Sequence, residues 1–218
     1  MIGVIIPVHN EEALLHDCLS AIEQAATHPL LCGEPVRIVV VLDSCSDGSA
    51  AIAAQFNATI ITINQRSVGH ARHTGAAWLL QQGARWLANT DADSLVPEDW
   101  LVEQIHADAE AVCGTVRVAV WDEHPEHVRH RYLELYQQCE GHRHIHGANL
   151  GICARAYQRA GGFSHLVAHE DVTLVRALEA IGARITWTAR NTVCTSARKL
   201  ARAPNGFSEY LNNLAAVS

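Results

Sequence analysis

The sequence is short of charge, of lysine and of long apolar runs, and each shortage narrows what it can encode. Only 18% of its 218 residues are charged, against ~25% in ordinary globular domains. Hydrophobic residues make up 49%, so disorder is excluded and a sizeable core is expected. No apolar run approaches the ~18 residues that would span a bilayer, which leaves peripheral contact as the membrane role open to it. The formal charge is −7, from 16 Lys+Arg against 23 Asp+Glu, so nucleic acid is not expected as a generic partner. Lys199 is the sole lysine. The cysteines (18, 32, 45, 113, 139, 153 and 194) include no C-x-x-C pair. An odd, scattered set reads as the reduced thiols of a cytoplasmic protein. No G-x-G-x-x-G follows a strand, which disfavours a dehydrogenase. The opening "MIGVIIPVHN" has no basic stretch and its apolar run stops at Pro7, so a first strand is expected there and not a signal peptide.

What is present alternates. "IGVIIP" (2–7), "VRIVVVL" (36–42), "TIITI" (59–63) and "ARWLANT" (84–90) are apolar and β-branched, as strands buried on both faces need to be. Leu14, Leu15, Cys18, Leu19, Ile22 and Ala26 recur at helical spacing. Asn10 can cap that helix, with Glu11 and Glu12 in its first turn. A short Ala-rich helix follows "DSCSDGS", and "GHARHTGAAWLLQQG" (69–83) and "PEDWLVEQIHADA" (97–109) are further helices, Pro97 opening the last. The spacing predicts an α/β, Rossmann-like domain with a mostly parallel central sheet and helices on both faces. The second half is less regular. It reads as a strand over 112–121, a His-rich helical segment over 124–139, strand, helix and Gly turn over 147–163, and a helix over 170–182. No linker, repeat or low-complexity tract interrupts the chain, so a single domain over 1–218 is expected. In such sheets ligands bind beyond the carboxyl ends of the strands, where Pro7–Asn10, Asp43 and Asp91–Asp93 fall.

In "WLANTDADSLVPEDW", Asp91 and Asp93 stand two apart at the end of the fourth strand and point the same way. Like charges so close call for a divalent cation, a basic side chain or solvent beside them. Carboxylates suit Mg²⁺ or Mn²⁺, ions that keep one or two protein ligands while binding substrate phosphates. The plainer reading is a solvated turn with Asp93 or Ser94 capping the next helix. Asp43 can shape its own loop as an Asx-turn. Arg72 is either a solvated helix residue or the holder of an anion. Glu170 and Asp171 open a helix, where the dipole alone favours acids, but an Asp there can also serve as a general base. "HRHIH" puts His142, His144 and His146 on one face if extended. A zinc site needs more ligands than that, so an acceptor-lining or surface role is preferred. Arg198, Lys199 and Arg202 form a basic knot, either a solvated face or a clamp on a diphosphate or an anionic acceptor.

Five motifs, in order and over nearly the whole chain, resemble the family 2 glycosyltransferases of the GT-A fold. "VIIPVHNEE" is similar to the family's opening strand and nucleotide loop, and "VVVLDSCSDGS" to its second strand and aspartate loop. "GHARHTGA" matches a helix start that usually reads Ala-Arg-Asn, "TDADS" the Asp-x-Asp metal motif, and "GGF…HEDVTL" the late Gly-Gly-Phe and Glu-Asp pair. The resemblance implies an inverting, non-processive, metal-assisted transferase that moves one sugar from a nucleoside-diphosphate donor to an acceptor hydroxyl. By it, Pro7, His9, Asn10 and Glu11 would floor the nucleoside, Asp43 would accept from the base, and Arg72 would lie by base or diphosphate. Asp93 would ligate the Mg²⁺ or Mn²⁺, while Asp91 would touch ribose or a metal-bound water. Asp171 would be the base, Glu170 would orient a sugar, and Asn149 would contact donor or acceptor, although an Asn between Gly and Leu can also serve only to shape the backbone. On the residues alone, His169 is either a third metal contact or a packed neighbour, and Arg198 is the member of the basic knot that a clamp on phosphate would use. A uridine diphosphate sugar is the donor expected on family grounds. Residues 1–110 then form a nucleotide-binding half, and 111–218 an acceptor-binding half with a C-terminal basic segment.

The chain also departs from the family pattern. Leu42 replaces the first of two adjacent acids, His73 stands where Asn is common, and the Gln-x-x-Arg-Trp motif of processive synthases is absent, which favours transfer of a single sugar. Other classes fit less well. A nucleotidyltransferase-like enzyme would need a Gly-rich Arg-Lys loop after the first strand. A phosphatase of the haloacid dehalogenase type would need its Asp on an early strand and a downstream lysine. A sugar-nucleotide-binding protein without activity would have lost the metal or base residues that are present here.

Overall fold

Valine and isoleucine dominate the first strands because those strands are covered from both sides. A computed structural model describes residues 1–199 and 207–216; Arg202, the last member of the basic knot, lies outside the described residues. In chain order the elements are β1 (Ile2–Val8), α1 (Leu15–Ala26), β2 (Val36–Asp43), α2 (Ser49–Ala53), β3 (Ala58–Ile63), α3 (Val68–Gln81) and β4 (Trp86–Asn89). Then come β5 (Ser94–Leu95), α4 (Trp100–Ile105), β6 (Ala111–Val118), α5 (Glu126–Leu135), β7 (Leu150–Cys153), α6 (Ala154–Arg159), α7 (Glu170–Ala180), β8 (Ile185–Thr195) and α8 (Phe207–Ala216).

The strands form one sheet in the order β3-β2-β1-β4-β7-β6-β8-β5. β1 runs parallel to β2 on one side and to β4 on the other, and β3 extends β2 in the same sense. β7 is antiparallel to both β4 and β6, and β8 returns parallel to β6. This is the mostly parallel, helix-flanked sheet that the βα alternation implies. Successive side chains of a strand leave on opposite faces. Ile2, Val4, Ile6 and Val8 accordingly pack with Leu15, Leu19 and Ile22 of α1 and Trp100 of α4. Ile5, with Val39 and Val41 of β2, packs under Leu79 of α3, where Leu174 and Leu178 of α7 also lie. Gly3 lets α3 close on the sheet, since a Cβ there would stand 2.6 Å from a Leu79 methyl. A third cluster joins Val128 and Tyr132 of α5 to Leu211 and Leu214 of α8. Among the described residues no helix is long and apolar enough to cross a membrane.

Several local expectations are corrected. Asn10 caps no helix: it takes a left-handed φ of 56°, and α1 begins only at Leu15, beyond Glu11 and Glu12. The helix expected over 97–109 is Trp100–Ile105, because Pro97–Asp99 form a turn in which Pro97 O accepts from Trp100 N at 3.0 Å. Neither Asp93 nor Ser94 caps it. β8 has no counterpart in the periodicity, for a bulge divides it: Gly114 pairs with Thr188 and Thr115 with Thr192, leaving Ala189, Arg190 and Asn191 unmatched.

Candidate active site

The sheet order reverses direction at β1, so the loops after β1, β2 and β4 diverge and leave a crevice at the strands' carboxyl ends. A cleft of about 1180 Å³ opens there. Pro7, His9, Asn10 and Glu11 line it, with Asp43, Ser44 and Ser46, Arg72, and Asp91–Asp93. The far side is made by Arg143–Ala148, Val167–Val172 and the end of β8 with Ser196 and Arg198. Among the described residues six non-glycine residues have positive φ, and four of them, Asn10, Ser44, Arg66 and His169, line this cleft. Left-handed backbone is costly outside glycine and persists where surroundings enforce it. Here the bracing is visible. Asn10 Oδ1 accepts from Ser46 N at 2.7 Å, Glu12 Oε2 from Gly48 N at 2.7 Å, and Ser49 Oγ from Glu11 N at 2.9 Å. The first two loops are thereby stapled into one platform, and His9 Nδ1 donates to Asp43 O at 2.7 Å.

Asp43 faces the cleft yet holds its own loop. Oδ1 accepts from Gln65 N and Arg66 N, Oδ2 from Ser67 N, all within 2.9 Å. Burial raises its pKa, but the three amides outweigh that and hold the carboxyl below its ordinary range. The Asx-type loop role is therefore filled, and any contact with a base would use the remaining lone pair of Oδ2.

The question posed by Asp91 and Asp93 is answered by basic side chains. Arg72 is 1% exposed; its Nη2 donates to Asp91 Oδ1 at 2.5 Å and its Nε to Glu170 Oε1 at 3.0 Å. Arg198 reaches back from the end of β8, with Nη1 at 2.6 Å from Glu11 Oε2 and Nη2 at 3.1 Å from Asp93 Oδ2. Burial pushes the Asp93 carboxyl up to about 6; Arg198 pulls it down, while Asp91 and Glu11 push it further up. Beside the acidic pair, the buried Nη1 of Arg72 and Nε of Arg198 have no hydrogen-bond partner among the described residues. The donor set suits a hard divalent cation: carboxylate oxygens, with Asp91 still 40% exposed. Among the described residues no group of three His, Cys, Asp or Glu side chains is arranged as a closed metal cage. An ion here would complete its shell with phosphate oxygens and water.

Beyond the pair, α7 presents Asp171. Its Oδ2 accepts from Gly147 N at 2.7 Å and its Oδ1 from Val172 N at 2.7 Å, which fixes the carboxylate at the cleft edge. Glu170 is buried and is spent on Arg72; burial raises its pKa, opposed by Arg72 and reinforced by Asp171. His169 is exposed at the rim in a left-handed conformation. Asn149 is a correction. It is fully buried, donating through Nδ2 to Thr115 O and Asn191 O and accepting from Trp100 Nε1, so it lines no part of the cleft. Its amide is consumed at the bulge of β8. Of the three histidines, His144 and His146 line the cleft and His142 does not. They stack on neighbouring rings, His144 on Tyr136 at 4.2 Å, with no metal-holding arrangement among the described residues. Lys199 is exposed and away from the cleft.

Arg66, Tyr136, Arg143, Arg176, Trp187 and Phe207 also line the cleft and were not picked out by sequence. Arg66 had a signal, a polar "NQRS" break between β3 and α3. The others arrive from the end of α5, the loop before Gly147, α7, the bulged β8 and the start of α8, where linear spacing carries no mark of a shared cavity.

The family model described as glycosyl transferase family 2 matches residues 3–163. Among solved structures, the mannosyltransferase PcManGT from Pyrobaculum calidifontis, in complex with GDP-Man and Mn²⁺, is similar at 20% identity and a TM-score of 0.69, over 92% of this chain and 58% of that one. TarS 1–349 of S. aureus in complex with UDP-GlcNAc gives 15% identity and a TM-score of 0.68, over 99% and 65%. Glucosyl-3-phosphoglycerate synthase from Mycobacterium tuberculosis, in complex with Mg²⁺ and UDP, gives 14% and 0.64, over 91% and 72%. At such identities the likeness is one of fold, and the chain spans less than two thirds of the first two. Among curated protein sequences none matches. The matched segment runs from β1 to the Gly-Gly-Phe turn and carries all three strand-end loops of the cleft: the chain belongs to glycosyl transferase family 2.

Proposed function

We propose that the chain is an inverting, metal-assisted glycosyltransferase that moves one sugar from a nucleoside-diphosphate donor to an acceptor hydroxyl. The observation that carries this reading is the convergence of Asp91, Asp93 and Asp171 on one cleft, tied together by Arg72 between Asp91 and Glu170. The braced loops at Pro7–Glu11 and Asp43–Ser46 supply the bed for the nucleoside. Asp93 and Asp91 would hold the Mg²⁺ or Mn²⁺, which when bound neutralises charge on the diphosphate. Arg198, with an unspent Nε, adds a second cation for that leaving group. Asp171 takes the proton of the acceptor hydroxyl as its oxygen attacks the anomeric carbon. The bond from that carbon to the diphosphate oxygen breaks, and the diphosphate leaves with the bonding pair. Glu170 acts through Arg72, whose orientation it fixes. The sugar nucleotides in the related structures, GDP-Man and UDP-GlcNAc, are donors of the expected kind. A reducing, cytoplasmic setting fits the seven free cysteines, and 1–110 and 111–218 are proposed as donor and acceptor halves of one unit.

One observation favours a second reading: Arg198 pairs with Asp93, so a guanidinium can stand in for the cation, making transfer independent of metal. Slow donor hydrolysis, followed by NMR with α-linked UDP-glucose and GDP-mannose, tests the chemistry without a known acceptor. The first product expected is the β-anomer of the free sugar, and the rate should fall ~10²–10⁴-fold in Asp171→Asn, with donor affinity kept within a few-fold. Release of the α-anomer, or near-full activity in Asp171→Asn, overturns the assignment.

A further inference from the structure

Five arginines line the cleft, at 66, 72, 143, 176 and 198. Arg72 and Arg198 are committed to buried carboxylates beside the Asp pair. At the other end, on the α7 side, the cations are differently placed. Val172, Arg176 and Glu179 recur at i, i+4 and i+7 and form one stripe of α7 facing the cleft. Arg176 has no hydrogen-bond or ion-pair partner among the described residues. Arg143 comes from the segment before Gly147 and lies over Trp187, its Cζ 5.1 Å from the ring centroid. Its one carboxylate partner among the described residues, Glu179, is 3.7 Å away and 49% exposed, a contact that solvent screens to little. His144 and His146 add no charge here. Burial, with the neighbouring imidazoles, pushes His144 below its ordinary range and His146 to about 3.

We infer that the acceptor carries an anionic group, a phosphate or a carboxylate, which Arg176 and Arg143 receive; this rests on the transferase reading given above. Along α7, Arg176 lies five residues beyond Asp171, an advance of ~7.5 Å at the helical rise. That spacing suits a small acceptor whose charged end sits one sugar-length from the hydroxyl that Asp171 deprotonates. The chain as a whole carries −7 and repels anions at long range. Arg143 and Arg176 face Glu179 and Asp171 here, so this end of the cleft carries no net negative charge of its own and is a local exception to the whole chain's. Trp187 lies under the Arg143 guanidinium and favours its presence at the cleft.

The test uses matched probes that differ in charge: glucose 6-phosphate, glucuronate and glucose, titrated by calorimetry with and without saturating UDP. The two anions separate phosphate from carboxylate. At least one is expected to bind ten-fold or more tightly than glucose. Arg176→Gln should erase that difference, Arg176→Lys should retain part of it, and glucose binding should stay unchanged in both. Arg176 is exposed on its helix, so these variants are expected to fold, and the Lys variant controls for packing. Equal binding of all three probes, no binding of either anion, or a preference abolished by Arg198→Gln and untouched by Arg176→Gln overturns the inference. UDP and GDP titrations of the same preparation report on the transferase reading separately. Nucleotide binding without anion preference defeats the inference alone, and absence of nucleotide binding defeats the reading beneath it.

Discussion

Asn149 spends its amide on the frame, between Trp100 of α4, Thr115 of β6 and Asn191 in the bulge of β8. The family resemblance of "GANLG" suggested a contact with donor or acceptor, but nothing linear distinguishes an Asn aimed at ligand from one aimed at carbonyls. Asn149→Ala leaves buried partners unpaired and is expected to destabilise the fold by roughly 2–4 kcal/mol. Nucleotide affinity of the folded fraction should stay within a few-fold, as denaturant melts and a binding titration on one preparation would show. An unchanged melt with lost nucleotide binding would return Asn149 to the site. The acids were easier to read. Asp43, Asp91 and Asp93 mark strand ends, where apolar side chains stop, and that change of composition is visible in any sequence. Arg72 and Arg198 were singled out too, but not as partners of these acids, since Arg198 comes to Asp93 from far along the chain and Arg72 is more buried than an arginine is expected to be.

At the level of elements, the legible parts were those whose own side chains dictate them. β1, β2 and β3 are β-branched and apolar, and α3 is opened by Ser67, whose Oγ accepts from His70 N at 3.2 Å. β8 was hidden because its bulge breaks the alternation, and α1 started late because Asn10 and Glu12 were committed to the neighbouring loop. A tertiary contact also decides how α3 meets the segment before Asp171. Gly69 N donates to Leu166 O at 3.0 Å, and Ser67 Oγ donates to the same carbonyl at 2.8 Å. A Cβ on Gly69 would lie 2.2 Å from Ser164 O, so Gly69→Ala must push the 164–168 segment outward. The expected cost is about 1–3 kcal/mol. Donor hydrolysis should fall more than donor affinity, because the displaced segment leads directly into His169, Glu170 and Asp171. Wild-type hydrolysis in a destabilised Gly69→Ala would show that this segment does not set the position of the base.

Over the whole molecule, one sheet carries the donor-side loops on β1, β2 and β4 and the far wall through β8 and α7. Arg72 and Arg198 cross between these parts, so the acidic pair is already met by positive charge supplied by the fold. Arg198 and a divalent cation then compete for Asp93, and the metal dependence of donor binding measures which one the diphosphate uses. Calorimetric titration of UDP and GDP into the wild-type protein and Asp93→Asn, each with Mn²⁺, with Mg²⁺ and with chelator, decides this directly. The expected result is binding of one nucleotide that tightens at least ten-fold with metal in the wild type and loses that gain in Asp93→Asn. Binding that ignores metal would favour Arg198 as the counter-charge, and no nucleotide binding under any condition would contradict the donor site itself.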